Sequence, residues 1–164
     1  MGEAFLILDS IRSEYNVGSL FRTADAAGIG RLYLCGYTPA PKDRFGRASK
    51  MIAKVALGAE QTVPWEKRAS CLALVRRLRK EGTLVIAVEQ SPRSVDYKKA
   101  AEHVRKALRA GKGVAFILGE EVSGMPASLL KEADLVAEIP MNGKKESLNV
   151  SVAGGVALFR MLGI

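Results

Sequence analysis

Three short stretches hold most of the residues whose types and spacing could do chemistry. The first reads Asp9-Ser10-Ile11-Arg12-Ser13-Glu14-Tyr15-Asn16-Val17-Gly18-Ser19-Leu20-Phe21-Arg22-Thr23-Ala24. Asn16 is expected to cap a helix, Gly18 permits close backbone approach, and Arg22 falls about one turn into that helix on the capped side. A guanidinium between Phe21 and Thr23-Ala24 interrupts an otherwise apolar segment, which suits a charge placed for a purpose. The plainer alternative makes Arg12 and Arg22 ordinary surface charges.

The second stretch, Gly119-Glu120-Glu121-Val122-Ser123-Gly124-Met125-Pro126, follows the apolar run Val114 to Leu118. Two glycines five residues apart with acids between them can wrap a small ligand or brace a neighbouring loop. No Gly-Lys-Ser/Thr follows, so it is not a P-loop, and the dinucleotide spacing G-x-G-x-x-G is missing here and at Gly28-Ile29-Gly30. The third stretch runs from Ile139 through Pro140-Met141-Asn142-Gly143 and three charged residues to Ser147-Leu148-Asn149, then stays free of charge from Val150 to Phe159. Ser147 and Asn149 can cap the helix that begins there. That helix is apolar nearly all round, so it must be buried from several sides, by its own domain and by a second subunit.

Positioning these stretches falls to an alternation of apolar strands and amphipathic helices. Strands are expected at 4–9, 31–36, 84–89, 114–119 and 134–139, with a weaker one near 61–63. Helices are expected at about 18–28, 48–58, 67–81, 96–110, 126–132 and 148–162, with Gly28, Gly58, Gly82 and Gly111 as C-terminal stops. Near-continuous apolar strands alternating with helices imply an α/β fold, a mostly parallel sheet with helices on both faces, in a single domain over 1–164. Ligands then gather at the carboxyl ends of the strands.

The formal charge is +8 and it is unevenly spread. Residues 1–112 carry 21 Lys/Arg against 11 Asp/Glu, a net +10, while 113–164 carry 4 against 6, a net −2. This points to a polyanion, with nucleic acid ahead of acidic lipid because no strongly basic amphipathic surface helix or lipidation signal is present. Cys35 and Cys71 lie in apolar surroundings without metal-ligand spacing, as core thiols of a reducing, cytoplasmic setting would. No metal site is expected. No signal-like or membrane-spanning run is found, so no membrane association is expected.

Taken jointly, the three stretches resemble the three motifs of the SpoU/TrmH-type RNA ribose 2′-O-methyltransferases of the SPOUT superfamily. The matching patterns are Asn16-x-Gly18-x-x-x-Arg22-Thr23-Ala24, Gly119-x-Glu121-x-x-Gly124, and Ile139-Pro140-Met141-x-Gly143-x-x-x-Ser147-Leu148-Asn149-Val150-Ser151-Val152-Ala153. Thr38-Pro39 and Ala56-Leu57-Gly58-Ala59-Glu60 agree as well. The resemblance implies a deep trefoil knot in the C-terminal half. It also implies an S-adenosylmethionine pocket contacted by Gly119, Ile139 and Leu148, with Leu118, Met141 and Ser147 beside them and Glu89 and Gln90 closing another side. Arg22 matches the catalytic arginine. A guanidinium is a poor base, with a pKa above ~12, so its expected work is to orient the substrate phosphate and stabilise a developing alkoxide. Asn16, Glu121, Ser147 and Asn149 would position Arg22 and the ribose.

Lys42 to Lys54 carries five bases and one acid, with Phe45 available to stack on an unpaired base. Arg44, Arg47 and Lys50 there, with Arg12 in the first stretch, are the candidate RNA contacts; a solvated loop is the alternative. Arg76-Arg77-Leu78-Arg79-Lys80 reads as the polar side of a helix, and His103 as a surface residue. The expected protein is a homodimeric RNA 2′-O-methyltransferase acting on tRNA or rRNA. Transfer RNA comes first, because a dimer of small domains can span a compact stem-loop. Methylation of a base nitrogen, or RNA binding without catalysis, are the competing readings. With three residues before the first strand, RNA recognition is expected from this domain or its twin.

Overall fold

The computed structural model describes residues 1–164. The apolar runs become the middle of one sheet: β1 (Ala4–Asp9), β6 (Val114–Leu118) and β4 (Leu84–Val88) lie side by side. β2 (Arg31–Cys35) and β3 (Trp65–Arg68) extend one side, and β7 (Leu135–Glu138) and β5 (Val95–Asp96) the other. The order is β3-β2-β1-β6-β4-β7-β5, and every pairing is parallel.

Register levels the strand ends. Leu118 pairs with Leu8 on one side and Val88 on the other, and Val88 in turn pairs with Ala137. The loops after β1, β4, β6 and β7 therefore leave the sheet along one edge, where parallel α/β sheets bind ligands. β7 pairs with both β4 and β5, although β4 and β5 follow one another in the chain. The segment after β6 thus enters between two strands laid down before it, a strand order consistent with the knot that the resemblance implies.

Both sheet faces are covered. Leu6, Leu8 and Phe116 pack with α1 (Glu14–Ala26), α5 (Tyr97–Arg109) and α7 (Val150–Leu162). Ile7, Val85 and Ile117 on the opposite face pack with α4 (Cys71–Lys80) and α6 (Ala127–Glu132). Two further helices, α2 (Lys50–Ala56) and α3 (Ala59–Thr62), lie against α1. No helix is long and apolar enough to cross a membrane.

Several element boundaries differ from the sequence expectation, each for a local reason. The first helix starts at Glu14 rather than residue 18, because the Ser13 side chain, not Asn16, accepts the Asn16 N–H and caps it. Asn16 is thereby released for other bonds. The helix expected at 48–58 breaks at Leu57, which takes φ 54° and closes α2, while Gly58 at φ 95° opens α3. That short helix occupies the place of the weak strand expected near 61–63. The true strand is β3, whose Trp65-Glu66-Lys67-Arg68 has no apolar run because it forms the edge of the sheet. The fourth helix consequently begins at Cys71, capped by Ser70, rather than at 67. β5 was too short, at two residues, for periodicity to show it.

Two glycines set helix distances. A Cβ at Gly154 would lie 2.7 Å from Leu20 Cδ2 and 2.8 Å from Leu118 Cδ1, so α7 rests closely on α1 and β6. A Cβ at Gly18 would lie 2.9 Å from Val55 Cβ and 3.0 Å from the Ile52 carbonyl oxygen, so the close approach there is made by α2. Gly18→Val should lower the unfolding free energy by about 1–3 kcal/mol, because backbone must move to admit it. Urea unfolding read by circular dichroism checks this; an unchanged midpoint would contradict the packing described.

Candidate active site

The loops after β4, β6 and β7 enclose a cleft of about 410 Å³. That volume lies within the roughly 300–1,000 Å³ of small-molecule sites. All six residues expected at a cofactor, Leu118, Gly119, Ile139, Met141, Ser147 and Leu148, line it. Val88, Val150 and Ala153 add apolar wall, and Glu89, Glu120, Glu121, Glu138 and Glu146 bring carboxylates, while no lysine or arginine is among the lining residues. A cleft of mixed polar and apolar lining, with acids and no cation, disfavours phosphate-bearing ligands and suits an apolar ring joined to a positive charge.

Two side chains close the cleft. Glu89 accepts from the N–H of Met125 (3.1 Å) and of Gln90 (2.8 Å), pinning the second stretch to the end of β4. The Gln90 amide donates to the Glu146 carbonyl at 2.6 Å and so reaches the third stretch. Gly119 must be small, since a Cβ there would come 2.6 Å from the Met125 side chain that packs beneath the loop.

Beside the cleft, one amide joins all three stretches. Asn16 is buried, at 7% exposure; its Nδ2 donates to Glu121 Oε1 (2.9 Å) and its Oδ1 accepts from Asn149 Nδ2 (3.2 Å). Asn149 is the N-cap of α7: its Oδ1 accepts from the Ser151 N–H (2.9 Å) and hydroxyl (2.6 Å). The expected constellation is therefore gathered for Asn16, Glu121 and Asn149. Ser147 is exposed on the cleft and belongs to no bond of this network. Arg22 is exposed on α1, takes part in none of the chain's ion pairs, and does not line the cleft. Within one chain Glu121 thus holds Asn16, not Arg22.

The basic segment is a folded loop. Lys42 and Ala48 form an isolated antiparallel bridge, and Asp43 accepts from the N–H groups of Phe45 and Arg47 and pairs with the Arg47 guanidinium at 2.7 Å. These bonds, the Arg47 backbone N–H first, hold the Asp43 carboxyl below its usual range. Arg44 and Arg47 lie 4.8 and 5.1 Å from the Phe45 ring centroid. The ring is already attended by two guanidinium groups, so it is less free for a base than the sequence suggested. Lys50 is exposed at the start of α2, and Arg12 lies over the Tyr37 ring at 5.7 Å.

Sequence reasoning missed the brace of the first stretch. Thr38, fully buried, donates to the Leu8 carbonyl and accepts from the Ile11 N–H, both at 3.0 Å. Lys67 Nζ donates to the Gly36 (2.6 Å) and Thr38 carbonyls, and burial pushes its pKa down. Thr38-Pro39 was the visible signal, but a threonine that bonds across 27 residues leaves no periodic trace. Cys35 and Cys71 are buried free thiols. The hydrogen bond to Cys35, then burial, pushes the Cys71 thiol up, so it stays protonated and unreactive.

The sequence pattern of the SpoU rRNA Methylase family matches residues 3–159. A protein of Ralstonia nicotianae named 23S rRNA (guanosine-2'-O-)-methyltransferase RlmB is 36% identical over 154 residues, 94% of this chain and 56% of that protein. Its namesake in Neisseria meningitidis is 33% identical, over 93% of this chain and 55% of its own length. The chain therefore spans a little over half of these relatives. Among solved structures, the AdoMet-bound rRNA methyltransferase of Sinorhizobium meliloti superposes with a TM-score of 0.81 at 31% identity, covering 98% of this chain and 56% of that one. A TrmH/SpoU tRNA modifying enzyme of A. aeolicus shares the fold, with a TM-score of 0.79 at 24% identity, covering 99% and 75%.

The Asn16–Asn149 bond joins residues 133 apart in the chain. A double-mutant cycle of Asn16→Ala and Asn149→Ala should show a coupling of about 0.5–1.5 kcal/mol in unfolding free energy. Additive losses would mean that the amides do not meet in solution.

Proposed function

This chain belongs to the SpoU rRNA Methylase family, and on that premise we propose that it transfers a methyl group from S-adenosylmethionine to a ribose 2′-hydroxyl of RNA. The observation that carries this is the acid-bearing, partly apolar cleft built by the second and third stretches, tied by Asn16 to the helix that bears Arg22. The named relatives at 33 and 36% identity favour ribosomal RNA over the transfer RNA expected from size, and a guanosine as the methylated nucleotide.

The residues present fit the cofactor. Leu118, Ile139, Met141 and Leu148 would hold an adenine ring, with Gly119 and Ser147 at its edge, and the cleft's carboxylates favour a cation. S-adenosylmethionine supplies a methyl group already activated on a sulfonium sulfur. What remains for this chain is alignment of the ribose hydroxyl and stabilisation of charge as that hydroxyl loses its proton. The Asn16–Glu121–Asn149 network fixes the cleft wall at the start of α7. The Arg22 guanidinium orients the adjacent phosphate and stabilises the developing alkoxide.

That Arg22 comes from a second copy. α7 carries no charge from Val150 to Phe159, and it leaves Val152 at 50% and Val156 at 39% exposure with Leu148 beside them. A twofold pairing of α7 and α1 would cover this face and bring each Arg22 to the other subunit's cleft. Arg12, Arg44, Arg47 and Lys50 then contact phosphates of the bound RNA. Free buried thiols accord with a cytoplasmic setting.

The protein, incubated with labelled S-adenosylmethionine and unmodified ribosomal or transfer RNA and then digested to nucleosides, should yield a 2′-O-methyl nucleoside. Label on a base nitrogen would overturn the ribose reading. Arg22→Ala should lower turnover by about 100-fold or more with cofactor affinity unchanged. Mixing Arg22→Ala with Gly119→Leu, which displaces the cleft loop by pressing on Met125, should restore part of the activity through mixed dimers. No recovery in mixtures shown to exchange subunits would place Arg22 in its own chain's site.

A further inference from the structure

At the opposite end of β4 and β6 from the cleft lies a second hollow, of about 820 Å³, lined from α4, α5, the end of α6, the starts of both strands and the turn before β7. Thr83 precedes and Leu84 opens β4 there, and Lys112 stands two residues before β6, whereas the cleft meets the same strands at Val88 and Leu118. At roughly 3.3 Å per residue the two cavities are separated by about 13 Å of strand.

The hollow is basic. Arg76, Arg79, Lys80, Lys106 and Lys112 face two carboxylates, Glu132 and Asp134, a net of +3. Those carboxylates are already engaged. Glu132 takes Arg76 Nε and Arg79 Nη1, both at 2.9 Å; Asp134 takes Arg79 Nη2 at 3.3 Å and the Val85 N–H at 2.8 Å. Two arginines are thus paired with carboxylates, while Lys80, Lys106 and Lys112 are exposed and enter none of the chain's ion pairs. On α5, His103 stands one turn before Lys106 on the same side.

We propose that this hollow binds the phosphate backbone of an RNA strand, at the pole of the sheet opposite the cleft. Its volume is twice the cleft's, and its cations are spread over two helices and a turn instead of converging on one point. Such an arrangement suits successive phosphates of a polymer rather than one small anion. The sequence marked Arg76 to Lys80 as the polar side of a helix; the fold turns part of that side toward Lys106 and Lys112. The inference rests on RNA being the partner, as proposed above, and it places a contact beyond the nucleotide that is methylated.

The test is Lys80→Ala/Lys106→Ala/Lys112→Ala, three exposed positions, with an unchanged unfolding midpoint as the control for folding. Binding of an unmodified ribosomal RNA transcript is measured across salt. The variant's log–log slope should fall by about 2, from three contacts at ~0.7 each. Between 50 and 200 mM salt its affinity should therefore drop by roughly 20-fold less than that of the unaltered protein. S-adenosylmethionine affinity and the single-turnover rate at saturating RNA should not move. An unchanged slope in a protein that methylates RNA overturns the hollow alone. Inorganic pyrophosphate whose binding is lost in the variant while the RNA slope stays put would mark a small-anion site and overturn it too. A reduced slope in a protein that transfers no methyl group keeps the hollow and overturns the catalytic reading. Absence of RNA binding by the unaltered protein overturns both.

Discussion

The buried amide of Asn16 is the tie on which the site depends. It donates to Glu121 and accepts from Asn149, so the loop after β6 and the start of α7 are both fixed to the first turn of α1. Each bond contributes on the order of 0.5–1.5 kcal/mol, but an unpaired buried amide costs about 1–3 kcal/mol, so loss of either partner is felt by all three segments. The tie is possible because Ser13 takes over the capping that Asn16 would otherwise perform. An asparagine spent on its own helix end could not have reached Glu121.

Parallel register gives that tie its geometry. With Leu8, Leu118 and Val88 level across three adjacent strands, the loops that follow must crowd together above the sheet edge. Cross-bonds then replace regular structure: Glu89 holds Met125, Gln90 reaches Glu146, and Thr38 fixes the turn between Leu8 and Ile11. Loops held at several points need little reorganisation to present a fixed cleft, which is what charge stabilisation in a transition state requires. Gly154 serves the same end from below, since α7 could not lie against Leu20 and Leu118 with a larger side chain.

Charge is sorted on the same frame. The cleft lining holds only acids among its ionisable groups, whereas Arg44, Arg47, Lys50 and the hollow at the other pole are cationic. A cationic ligand and a polyanion can then be held on one small domain without competing for the same groups. Cations whose carboxylate partners are few remain available to a phosphate, and the uneven +10 and −2 of the two chain segments is the one-dimensional trace of that sorting.

How much of this the chain itself declared depends on whether the signal was local. Continuous apolar runs named the central strands, because a strand buried on both faces can carry little else, and the glycines, asparagines and serines of the three stretches marked the loops that form the cleft. Edge elements escaped: β3 is polar because one side is solvent, and β5 is two residues long. The cap at Ser13 rather than Asn16 could not be read, since both residues can cap and only the distant Glu121 and Asn149 decide which one does. Nor could the insertion of β7 between β4 and β5, which follows from strand pairing and not from chain order. Local sequence thus determined which residues are chemical and which elements carry them. The tertiary structure decided whom they meet, because each decisive bond joins residues far apart in the chain, whose proximity no periodicity encodes.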